Sequence, residues 1–173
     1  MTKEPKKSLV IRYREECEEA ISKIRDYKDW EKEEAIVHEV MDAGRRLFAH
    51  DLDKMTIGYL LRLGGKLAGA YTSLGQFSTM ARAERDVYEQ KLDETEKALQ
   101  LELLKGGEYK VTQAKAEVAK KVSELREFVI QKEAVKNQWE NLMEACEKMV
   151  SFIQSAIKVK EGERFQNKLQ GEA

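Results

Sequence analysis

From Lys54 to Ala83 the chain carries Lys54, Arg62, Lys66 and Arg82 and no acidic residue. The whole sequence is 36% charged, with 31 Lys+Arg against 32 Asp+Glu, so a run of this length without one acid stands out. Arg85 extends it, and Tyr59, Tyr71 and Phe77 are interleaved with the bases. Cations neutralise phosphate without reading sequence, and aromatic rings stack on nucleobases. These are the ingredients of a surface for single-stranded nucleic acid. The same residues also fit a plainer arrangement, in which the rings are core and the bases snorkel from a face of small residues.

Two further basic clusters follow. Lys110, Lys115, Lys120 and Lys121 open the last long apolar pattern, diluted by Glu117 and Glu124. Lys158, Lys160, Arg164 and Lys168 lie near the end, among Glu161 and Glu163, where cations also complement a helix dipole. The net charge is -1, so only local charge can carry an argument for a polyanion partner.

Other chemistries find little support. Gly64-Gly65-Lys66 lacks the first glycine of a phosphate loop, since position 60 is Leu, and Leu67 follows the lysine. His38-Glu39 begins like a zinc-protease helix, but Asp42 stands where the second histidine belongs. Two histidines and two distant cysteines make a poor ligand set. No catalytic residue, metal or cofactor is expected, and Cys17 and Cys146 read as buried free thiols. With no membrane-length apolar run, the expected setting is a reducing cytoplasm.

The elements that must position these residues read as helices. The composition, with a single proline (Pro5), is that of long helices. The strongest pattern is a three-four spaced seam: Val111, Ala114, Val118, Lys121, Leu125, Phe128, Lys132, Val135, Trp139, Leu142, Cys146, Met149, Ile153 and Ala156. Only Lys121 and Lys132 break it, each either facing a Glu on a neighbouring helix or marking where the seam opens. At 1.5 Å per residue this helix is roughly 70 Å long. Before it, residues 9–50 read as two amphipathic helices, the second capped by Asp29, with a break over 49–53 where Asp51 or Asp53 caps the next. A helix from about Lys54 to Lys105 ends at Gly106-Gly107, and so short a turn makes it an antiparallel neighbour of the last helix. Gly58, Gly64, Gly65, Gly69 and Gly75 within it imply close approach of another backbone, or a kink at Gly64-Gly65.

The expected architecture is all-α: an elongated antiparallel helical hairpin or coiled coil over 51–160, preceded by a flexible arm (1–8) and two shorter helices (9–50), and followed by a polar tail (161–173). The seam over Val135, Trp139, Leu142, Cys146, Met149 and Ile153 extends past what the hairpin covers with apolar partners. That predicts a homo-oligomer joined there.

The run Tyr109-Lys110-Val111-Thr112-x-Ala114-Lys115, then Trp139-x-x-Leu142-x-x-x-Cys146, then Ile153-x-x-Ala156-Ile157-Lys158 resembles the recombination mediators of tailed bacteriophages, the UvsY-like proteins. The resemblance covers roughly residues 108–168. It implies a non-enzymatic helical oligomer that binds single-stranded DNA and helps load a recombinase onto DNA covered by single-strand-binding protein, in the host cytoplasm. Its matching basic positions are Lys110, Lys115 and Lys158. The alternative reading is a coiled-coil protein-binding module, such as a phage inhibitor of a host defence or host enzyme complex.

Overall fold

The computed structural model describes residues 8–23, 28–49, 54–107 and 109–171, the side chains of 28–31 and 169–171 aside. These residues form five α-helices and no strand: α1 (Leu9–Ser22), α2 (Lys28–Ala49), α3 (Ile57–Lys105), α4 (Val111–Lys121) and α5 (Ser123–Gly171). The protein is therefore all-α, as its composition and spacing predict.

Local chemistry sets the helix ends. Ser8 caps α1, its Oγ accepting from the Ile11 N–H at 3.3 Å. Thr56 does the same for α3, accepting from the Tyr59 N–H at 3.2 Å. The caps proposed at Asp51 and Asp53, and residues 1–7 of the arm expected over 1–8, lie outside the described residues, while Ser8 is the cap of α1. Helix α2 starts at Lys28, so Asp29 is inside its first turn rather than at its cap. At the end of α3 the Gly106 N–H donates to the Glu102 carbonyl, and Gly107 adopts φ +71, the left-handed conformation that terminates a helix with no Cβ penalty.

The final helix differs from the sequence reading in two places. It is interrupted at Val122 (φ -101, ψ 5). There the Ser123 hydroxyl donates to the Lys120 carbonyl at 2.9 Å, a back-bond that bends helices. The interruption puts Val122, fully buried, into the core in place of Lys121, which stays exposed. Burying a lysine without a partner costs far more than one irregular turn. The second difference is at the C-terminus. Gly162 does not stop α5, which continues through the expected polar tail to Gly171. One exposed helical glycine costs about 1 kcal/mol against alanine, too little to end so long a helix.

The chain divides into two compact units. Unit 1 holds α1, the second half of α3, α4 and the start of α5; unit 2 holds α2, the first half of α3 and the rest of α5. In unit 1, Tyr13 and Cys17 of α1 close over Tyr88, Val118, Val122 and Leu125. The Tyr13 hydroxyl donates to the Tyr88 carbonyl at 2.6 Å, and its ring meets Tyr88 edge-on at 5.9 Å. Burial pushes the Cys17 thiol up to about 11. Along α3 the inward positions keep three-four spacing into Ala81, Glu84 and Tyr88. Glu84, only 2% exposed, meets Lys132 of α5 at 2.7 Å, and the same ammonium lies 5.3 Å from the centre of the Tyr88 ring. Lys132 thus has a Glu partner on a neighbouring helix. Glu96–Arg126 at 2.8 Å continues the antiparallel pairing.

In unit 2, Val40, Ala43 and Leu47 of α2, Leu60, Leu63, Leu67, Ala70, Leu74 and Phe77 of α3, and Trp139, Cys146, Met149 and Ile153 of α5 are buried. Phe77 packs on Trp139 with centroids 5.5 Å apart, and the Cys146 thiol donates to the Leu67 carbonyl at 3.1 Å. These contacts again pair α3 and α5 antiparallel. Gly44 has a local reason: a Cβ there would lie 3.3 Å from the Met149 sulfur. The close backbone approach expected at the α3 glycines is not observed. Gly64 and Gly75 lie beside the side chains of Ile153 and Met143, while Gly58, Gly65 and Gly69 face open space. Helix α3 runs through Gly64-Gly65 without interruption.

Removing Lys132 as Lys132→Met takes away the cation facing the buried Glu84 carboxylate. The expected loss is about 3 kcal/mol of stability, read by urea unfolding with circular dichroism. A loss below about 0.5 kcal/mol would mean the pair contributes little.

Candidate nucleic-acid interface

The eight predicted cations fall four to each unit. Lys54, Arg62, Lys66 and Lys158 belong to unit 2; Arg82, Arg85, Lys110 and Lys115 belong to unit 1.

In unit 1 the prediction needs correcting at Arg85. Its Nε donates to Glu133 at 2.9 Å, and its Nη1 faces Asp86 at 3.0 Å and also bonds Glu89. Three carboxylates already take its charge, which takes it out of the phosphate-contact set the sequence suggested. The run lacks acids only up to Ala83, and the helical neighbours of Arg85 come after it. Arg82 and Lys115 are exposed. Lys110 occupies the N-cap position of α4, where its backbone N–H donates to the Gln113 side chain at 3.2 Å. A groove of about 290 Å³ beside α1 is lined by Glu16, Glu94 and Glu102 against the single Arg12, a balance that disfavours phosphate.

Unit 2 keeps more of the predicted surface. Arg62 and Lys66 are exposed, one turn apart on α3, and make no ion pair among the described residues. The acid-free sequence supplies no carboxylate at helical reach. Beside them Gly58, Gly65 and Gly69 are exposed and carry no side chain, so that flank of the two cations is open. Leu61, about 100° round the helix from Arg62, is 60% exposed. Of the interleaved rings, Phe77 is core against Trp139 and leaves the candidate set, Tyr59 is half-buried, and Tyr71 is 38% exposed. Tyr71 borders a groove of about 340 Å³ lined by Ala68 of α3 and by Glu147, Val150, Ser151 and Gln154 of α5. Lys158 is exposed one turn beyond Gln154 on the same α5 face.

The proposed oligomer seam also needs correcting. Trp139, Cys146, Met149 and Ile153 are buried within the single chain, Leu142 is half-buried, and only Val135 is exposed. Helix α2 and the first half of α3 cover them. Helix α2 offers more apolar surface than one inward stripe needs, since Val40-Met41 and Leu47-Phe48 each present two adjacent apolar residues. Val40 and Leu47 point inward, and Met41 and Phe48 point out, Phe48 being 74% exposed. Phe48 meets the partly exposed Phe152 at 6.2 Å between ring centres, and Val159 is exposed two turns further along α5. This apolar strip was missed. Its signal was the doubling Val40-Met41 and Leu47-Phe48, which a one-sided helix does not need.

Among the described residues no group of three or more His, Cys, Asp or Glu could hold a metal ion, and no helix is long and apolar enough to cross a membrane. No family model, curated protein or solved structure matches the chain.

If Arg85 serves structure alone, Arg85→Ala lowers stability by up to about 1 kcal/mol and leaves affinity for a single-stranded oligonucleotide unchanged. A drop in affinity with helicity intact would restore Arg85 to the binding surface.

Proposed function

We propose that this protein is a non-enzymatic, oligomeric binder of single-stranded DNA that assists recombinase loading, in the manner of the phage recombination mediators. The observation that carries the proposal is the pair Arg62 and Lys66. Elsewhere the exposed cations commonly sit a turn from a carboxylate, as in Arg14–Glu18, Lys97–Asp93 and Lys148–Glu144. Such pairs neutralise themselves and are worth little to a ligand. Arg62 and Lys66 keep their charge on an outward face of small residues, within a stretch that excludes acids over thirty positions. Phosphate is the partner such a face suits, because each contact releases condensed counterions. The resemblance over residues 108–168 supports the same reading and supplies the further partners, a recombinase and the single-strand-binding protein covering the DNA, in the host cytoplasm. Two cations per chain bind DNA weakly, and linked copies multiply weak contacts through effective concentration. The Met41, Phe48, Phe152 and Val159 strip is the surface we assign to self-association.

The strip also supports a second reading, a protein-binding helical module such as a phage inhibitor of a host defence or host enzyme complex. An apolar face of this kind suits a protein partner whether or not DNA is bound.

Fluorescence anisotropy with labelled oligo-dT decides between them. Binding at low salt that weakens steeply toward ~200 mM supports the mediator reading. The Arg62→Ala/Lys66→Ala double variant should flatten the log–log salt slope by about 1.4 per bound protomer, at about 0.7 for each lost phosphate contact. No binding at low salt would leave the protein-binding module. For assembly, light scattering at micromolar concentration should give at least a dimer, reduced to monomer by Phe48→Ser with Phe152→Ser. A monomeric parent chain would contradict the assignment.

A further inference from the structure

We infer that the groove between α3 and α5 in unit 2 seats an unstacked nucleobase, with the flanking phosphate held at Lys158. This rests on the single-strand reading and goes beyond it, because it makes the bases, and not only the backbone, part of what is bound.

Tyr71 is the most exposed ring of the acid-free stretch, and it lies at the rim of this groove. Ala68, one turn earlier, is small enough to leave the space beside the ring open. Val150 offers an apolar wall, and Ser151 and Gln154 offer hydroxyl and amide groups that can donate to or accept from a base edge. Stacking on an aromatic ring with polar groups at the edge is how single-stranded bases are commonly held. A base within a duplex cannot enter, because both of its faces are already stacked.

Charge gives the groove a direction. Its α3 wall has no acid. On the α5 wall Glu147, Ser151, Gln154 and Lys158 share one face, with Glu147 at one end and Lys158 at the other. Lys158 is exposed and makes no ion pair among the described residues, so it can take a phosphate. Glu147 repels phosphate at its own end and accepts a hydrogen bond from an exocyclic amino group, as carboxylates do from cytosine N4. The occupant that matches both ends is therefore a nucleotide of a single strand, its phosphate toward Lys158 and its amino-bearing edge toward Glu147.

The test compares three labelled probes by anisotropy at one low salt concentration: oligo-dC, an abasic strand of equal length, and a duplex. The parent chain should bind oligo-dC on the order of tenfold tighter than the abasic strand, and the duplex no better than the abasic strand. Tyr71→Ala should bring oligo-dC down to the abasic value, and Tyr71→Phe should keep the difference. Ala68→Met, which fills the groove from an exposed helix position, should abolish it as well; helicity by circular dichroism checks that both variants fold. Equal affinity of the parent for oligo-dC and the abasic strand overturns the base seat and leaves the phosphate-binding reading standing. Failure to bind either strand removes both.

Discussion

The ion pair between Glu84 and Lys132 is the constraint on which the packing of unit 1 depends. Both residues stand at inward positions of long apolar patterns, where a charge is costly unless its partner is opposite. Sliding α3 along α5 by one turn would leave a carboxylate against an apolar wall. The leucine and valine positions alone would tolerate such a slip, because each looks much like the next. A polar pair in an apolar interface therefore chooses among registers that burial cannot distinguish. Around it Tyr88, Phe128 and Tyr13 pack ring to ring, and α1 closes over them.

Unit 2 solves the same problem by shape. Small and large side chains alternate across its contacts: Gly44 against Met149, Gly64 against Ile153, Gly75 against Met143. The remaining glycines of α3 are another matter. Gly58, Gly65 and Gly69 face open space, and each costs the helix about 1 kcal/mol against alanine. Internal packing gives no return for that cost. An outward face with three open glycines and no acid, bearing Arg62 and Lys66, is suited to a ligand that must come close to the helix.

Much of this was legible in the chain. The all-α class follows from composition and unbroken three-four spacing. The turn at Gly106-Gly107 and the antiparallel pairing of its flanking helices follow from two adjacent glycines between long periodic runs. What escaped was set by contacts between distant residues. Arg85 looked available because the acids that bind it lie on its C-terminal side and on α5. The seam from Trp139 to Ile153 looked uncovered because the inward choice on α2, Val40 over Met41 and Leu47 over Phe48, is made by what α2 packs against. The interruption at Val122 came from the cost of burying Lys121, a choice between neighbouring positions that spacing alone does not resolve. In the candidate interface, the sequence located Arg62, Lys66, Tyr71 and Lys158. It could not show that Phe77 is core, since an aromatic at helical spacing serves equally as anchor or platform.

The central claim is that the outward face of α3 in unit 2 is where nucleic acid meets the chain. Hydroxyl-radical labelling of side chains, with and without a single-stranded oligonucleotide, tests it most directly. Leu61 reports on the exposed outward side of α3 and Tyr71 on the groove it borders with α5, while Tyr109 and Val111 report on the basic start of α4, and all four are exposed in the free chain. The account predicts protection of Leu61 and Tyr71 with Tyr109 and Val111 unchanged. Protection of Tyr109 and Val111 alone would contradict it and move the interface to the Lys110–Lys115 segment.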